Sequence, residues 1–89
     1  MKIKSILKNG VGELKLNDKY WLFVELEEEW CCGEKEDEYL IIELFSHEYN
    51  DMVCNGLELL QHNLTRNDSV NELKQYGLAL IREYERENN

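Results

Sequence analysis

The sequence predicts an α+β domain: a small antiparallel sheet of about four strands, built from β-hairpins, with two C-terminal helices packed on one face. Three observations predict it. In residues 20–30 and 39–45 aliphatic side chains recur at every second position, Leu22, Val24 and Leu26 in one and Leu40, Ile42 and Leu44 in the other, the period of two that sets one face of a strand. Asn9-Gly10 is a strong signal for a two-residue hairpin turn. From Ser46 onward the apolar residues recur at spacings of three and four, the period of a helix packed on one side.

The elements follow in order. Residues 2–8 read as a short first strand through Ile3, Ile6 and Leu7, and residues 11–16 as its partner across Asn9-Gly10. Asn17-Asp18-Lys19 reads as the next turn. In residues 20–30, Leu22, Val24 and Leu26 share one face, and Trp21, Phe23, Glu25, Glu27 and Glu29 share the other. Residues 31–37 contain Gly33 in a charge cluster and read as a loop. In residues 39–45, Leu40, Ile42 and Leu44 alternate with Tyr39, Ile41, Glu43 and Phe45.

Pairing these two strands with Val24 opposite Leu44 sets Phe23 against Phe45 and leaves Glu25 facing Glu43. The apolar pairs favour that register and the facing glutamates oppose it. Ser46 can cap a helix whose apolar stripe runs through Met52, Val53, Leu57, Leu60 and Leu64, interrupted by Gly56. Ser69-Val70-Asn71-Glu72 matches a capping box, and Val70, Leu73, Tyr76, Gly77, Leu80, Ile81 and Tyr84 form the stripe of the last helix.

One domain is expected over residues 1–89, mainly β over 1–45 and mainly α over 46–89. A chain of 89 residues builds one small core and has little room for a deep active site. No apolar run approaches the length of a membrane span and no signal-like start is present. A cytoplasmic protein with reduced thiols is therefore the expectation.

The charge is concentrated. The formal net charge is −9, yet residues 1–22 hold five lysines against Glu13 and Asp18. Residues 23–60 hold twelve acids against Lys35 alone. A balance of this sign opposes direct binding to nucleic acid or to an anionic membrane. Grouping like charge also costs stability through self-repulsion, and interspersed charges would serve solubility equally well.

Catalytic apparatus is missing from the pattern. Gly10-Val11-Gly12 lacks both phosphate-binding glycine signatures. Cys31, Cys32, Cys54, His47 and His62 have no zinc-ligand spacing, and adjacent Cys31 and Cys32 in a strand would point to opposite faces. Cys54 with His47 or His62 could begin a nucleophilic pair, but no oxyanion loop or third orienting group accompanies it. No enzyme, no metal and no cofactor is expected.

The expectation is a binding protein. Two helices cover one sheet face, and the other then shows Trp21, Phe23, Tyr39, Ile41 and Phe45 beside acidic residues. Partner contact is assigned to Glu25, Glu27, Glu29, Trp30, Glu34, Glu36, Asp37, Glu38 and Tyr39. The expected partner is a protein with a basic surface, such as a nucleic-acid-handling enzyme, blocked by steric and electrostatic occlusion. In size and acidity the chain is similar in type to small inhibitors: phage-encoded anti-defence proteins, DNA mimics and immunity proteins that neutralise nuclease toxins. An immunity protein, or a homodimer formed through the sheet face, is the alternative.

Overall fold

A computed structural model describes residues 1–88. The chain begins with a 3-10 helix at Ile3–Ile6. Strands β1 (Val11–Lys15), β2 (Tyr20–Cys31), β3 (Glu34–Ser46) and β4 (Asp51–Asn55) follow, then a single helical turn, α1 (Gly56–Leu59), and α2 (Val70–Glu87). The strands form one antiparallel sheet in the order β1-β2-β3-β4. The expected architecture, a four-stranded antiparallel sheet followed by helices, is what the chain adopts.

Three elements differ from the sequence reading. Residues 2–8 are not a strand. Ile3 turns inward and is fully buried, its N–H bonded to the Asp68 carbonyl, while Lys2 makes one bridge to Ser69. The Asn9-Gly10 turn does form, with φ of 56° and 82°, but it closes only the single bridge between Lys8 and Val11. The fourth strand comes instead from residues assigned to a helix. Asn50 adopts a φ of 50° and reverses the chain, so Asp51–Asn55 runs back along β3. Val53 is the extra residue in that pairing, because Leu44 is opposite Cys54 and Phe45 is opposite Met52. Only Gly56–Leu59 remains helical of the expected first helix, capped by Asn55 on the Leu57 N–H.

Residues 31–37 are not a loop. β2 and β3 continue to a two-residue turn, Cys32-Gly33, with φ of 55° and 82°. This is the left-handed pair that a tight hairpin matched to strand twist requires, and Gly33 meets it without steric cost. The tight turn moves the register by two residues from the expected one. Val24 pairs with Ile42, Trp21 with Phe45 and Glu25 with Ile41. A slip of two keeps every residue on its predicted face, so the alternation survives. The clash between Glu25 and Glu43 as direct partners disappears. Like-charge pairs arise instead near the turn, at Glu29 with Asp37 and Glu28 with Glu38.

The core lies on one side of the sheet. Leu22, Val24, Leu40, Ile42 and Leu44 meet Ile3, Leu73 and Leu80, and each is at most 1% exposed. Burial of such a side chain contributes roughly 1.5–3 kcal/mol. α2 presents the predicted stripe, with Leu73, Gly77, Leu80 and Ile81 buried. Ser69 caps it by accepting from the Glu72 N–H at 3.1 Å. At Gly56 a side chain would collide with Tyr76 Oη and would lie 2.7 Å from the Ile42 carbonyl oxygen. Tyr76 donates to the Leu60 carbonyl at 2.5 Å, which ties α2 to the segment after α1. No helix among the described residues is long and apolar enough to cross a membrane.

Candidate protein-binding surface

Alternation along the strands places a second set of side chains on the face away from the helices. Cross-strand pairing arranges them in rows. The first row is Lys15, Trp21, Phe45 and Met52, and the second is Glu13, Phe23, Glu43 and Asn55. Val11, Glu25 and Ile41 follow, then Glu27 with Tyr39, then Glu29 with Asp37. The face therefore grades from aromatic at one end to acidic near the hairpin turn.

The aromatic end is ordered by its own contacts. Trp21 stacks on Phe45 with ring centroids 4.5 Å apart and planes at 25°. Phe23 lies 6.1 Å from Phe45. These rings with Glu13, Lys15, His47 and Asn50 line an open concavity of about 550 Å³. All three rings are half-buried; Met52, paired with Phe45, is exposed, and so is Tyr39, two rows beyond Phe23 toward the turn.

The acidic end lacks counter-charge. Among the described residues no ion pair reaches Glu25, Glu27, Glu29, Asp37 or Glu43. The Glu25 carboxyl is held above its ordinary range, first by a hydrogen bond shared with Glu27, then by partial burial and by the charges of Glu27 and Glu43. Asp37 Oδ1 accepts from the Glu38 N–H at 2.8 Å.

The helix-side acids of the same hairpin are treated differently. Lys35 bonds Glu38 and lies 3.7 Å from Glu28, and Arg66 lies 3.0 Å from Glu38. The Lys35 hydrogen bond, joined by Arg66, holds the Glu38 carboxyl below its usual range. The hairpin thus sorts its acids, neutralised on the helix side and bare on the other.

The nine residues assigned to partner contact are not one surface. Glu25, Glu27, Glu29, Asp37 and Tyr39 share the outer face. Glu38 is engaged with Lys35 and Arg66 on the helix side. Trp30 pairs with Lys35 beyond the bulge, on that same side, and is 62% exposed. Glu34 pairs with Cys31 beside the turn, and Glu36 is the unpaired residue of the bulge. Outer-face residues that the sequence reading did not place there are Met52, Asn55, Glu13 and Val11. Met52 and Asn55 were hidden by the helical reading of β4, for which Asn50 at the end of the preceding turn was the available signal.

The reactive groups elsewhere are muted. Burial pushes the Cys54 thiol up to about 11, so it is not a thiolate at neutral pH. His62 sits edge-on to Tyr76 at 4.9 Å, and its Nδ1 accepts from the Leu64 N–H at 3.1 Å. Its buried Nε2, turned toward the Leu40 backbone, closes no well-formed hydrogen bond, and burial holds the ring below its ordinary pKa. Among the described residues no three metal-ligating side chains converge. The outer face thus carries an aromatic cluster at one end and carboxylates without ion-pair partners among the described residues at the other. No family model, curated protein or solved structure matches the chain.

Proposed function

We propose that this chain is a small acidic binding protein that occludes a basic, nucleic-acid-binding surface of a partner protein in the cytoplasm. The observation that carries the reading is the uncompensated outer-face carboxylate row, Glu25, Glu27, Glu29 and Asp37, beside an uncovered aromatic cluster. Each part has a task. The carboxylates steer a cationic surface into encounter, and Trp21, Phe23 and Phe45 supply the apolar area that keeps it. Alternate residues of a strand stand about 6.6–6.8 Å apart. Alternate phosphates of one DNA strand advance by about 6.8 Å, so lysines and arginines spaced for a backbone meet carboxylates at a similar repeat. The role requires neither a catalytic group nor a cofactor, and it involves no direct contact with nucleic acid or membrane.

The test is affinity capture from the native host with wild-type protein and with the triple variant Glu27→Lys, Glu29→Lys, Asp37→Lys. The expected result is a nucleic-acid-binding protein retained by wild type at low salt, released as salt rises, and not retained by the variant. Equal retention by the two proteins, or retention indifferent to salt, would overturn the reading.

A further inference from the structure

The hairpin turn brings together two groups that the outer-face reading does not use. Adjacent residues of a strand project to opposite faces. Cys32 is not in a strand: its φ of 55° places it in the turn, and its Sγ lies 3.6 Å from Cys31 Sγ. This corrects the expectation that the two thiols diverge. Both cysteines are free and exposed.

The separation and the ligand count together select a chemistry. Two thiolates at zinc-like bond lengths of about 2.3 Å would be about 4.6 Å apart on a linear centre and about 3.8 Å apart on a tetrahedral one. The observed 3.6 Å is the bite of a bent chelate. A closed tetrahedral metal site takes four protein ligands, and among the described residues no third His, Cys, Asp or Glu joins the pair. A centre that binds two sulfurs at a bent angle and asks for no third ligand is trivalent arsenic bearing one organic substituent.

We propose that Cys31 and Cys32 form a chelating dithiol site for a monosubstituted trivalent arsenical. With the hydrated reagent, two S–H and two As–O bonds break, two As–S bonds form and two waters leave. Arsenic stays trivalent, so no oxidant or reductant enters. The second sulfur closes a ring within one molecule, at the high effective concentration that a single peptide link enforces. The reagent is neutral, so the surrounding carboxylates do not repel it.

The test is intact-mass spectrometry of the protein treated with phenylarsine oxide in excess 2-mercaptoethanol. The expected result is a one-to-one adduct that survives the monothiol and is stripped by 2,3-dimercaptopropanol. Cys31→Ser and Cys32→Ser should each cut the retained adduct at least tenfold, and Cys54→Ser should leave it intact. Circular dichroism of each variant checks the fold, which substitution at the exposed Cys31 and Cys32 leaves unchanged. Equal retention by either single variant, or loss of the adduct in Cys54→Ser, would overturn the proposal.

Discussion

Replacing Glu27 by Gln should stabilise the isolated protein, and the amount follows from its neighbours. Glu25 and Glu29 lie two residues away on the same face, and none of the three has an ion-pair partner among the described residues. Side chains at that spacing are about 6.8 Å apart. Two unit charges at this distance in water repel by about 0.6 kcal/mol, so two neighbours give about 1.2 kcal/mol at low ionic strength. A Debye length of about 8 Å at physiological salt cuts this to about 0.5 kcal/mol, and one of about 3 Å at 1 M nearly abolishes it. These are ceilings, because the unfolded chain keeps part of the same repulsion. The amide can still donate to the Glu25 carboxylate, so the local contact survives. For a domain of this size about 1 kcal/mol moves the melting temperature by about 4–8 °C. Thermal melts of both proteins at low, physiological and 1 M salt measure it. A destabilised variant would mean that Glu27 is held by attraction, and a gain that salt does not erase would mean that its source is not charge repulsion; either result would refute the reasoning.

The remaining predictions concern the framework behind the surface. Because burial holds His62 below its ordinary pKa of 6.5, the unfolded chain takes up a proton first as pH falls. Stability from this residue is full above 6.5 and declines from there until the folded imidazole titrates. His62→Gln keeps an acceptor for the Leu64 N–H, so urea denaturation between pH 7.5 and 5.5 (a window on the order of the unperturbed histidine range) should show a flatter profile. Gly56→Ala places a methyl against Tyr76 Oη and the Ile42 carbonyl and should cost about 2–4 kcal/mol, from overpacking and a broken buried hydrogen bond. Chemical denaturation reads it, and a loss under 1 kcal/mol would mean that α1 can move aside (a threshold on the order of one hydrogen bond). Glu38→Gln should remove stability at neutral pH that wild type loses only on acidification, because the folded carboxyl titrates below its unfolded value. Acid titration of both proteins, followed by fluorescence, checks the direction.

Much of this was legible in the alternation of β2 and β3 and in the stripe of α2, where one buried face dictates residue type at every second or every third and fourth position. The face assignments of Trp21, Phe23, Glu25, Glu27 and Glu29 came from that alternation alone. Register did not, because a slip by two preserves every face, and the choice was made by a two-residue turn at Cys32-Gly33. β4 was illegible for a different reason. Met52, Val53 and Leu57 fit a helical spacing by chance, and pairing with β3 outweighed that local preference. Residues 2–8 carry strand-like residues, but their place is set by the Ile3 and Lys4 N–H bonds to the loop before α2, which no local signal reports. The sorting of acids between faces also depends on tertiary contact, since Arg66 reaches Glu38 from a distant segment.

The most direct measurement is the association rate of the captured partner with wild type and with the Glu27→Lys, Glu29→Lys, Asp37→Lys variant, taken across a salt series. A bare carboxylate face that steers encounter predicts a wild-type rate that falls steeply with salt and a variant rate that is at least tenfold slower at low salt (on the order of the steering effects known for charged interfaces). Superimposable rates at every salt concentration would contradict it.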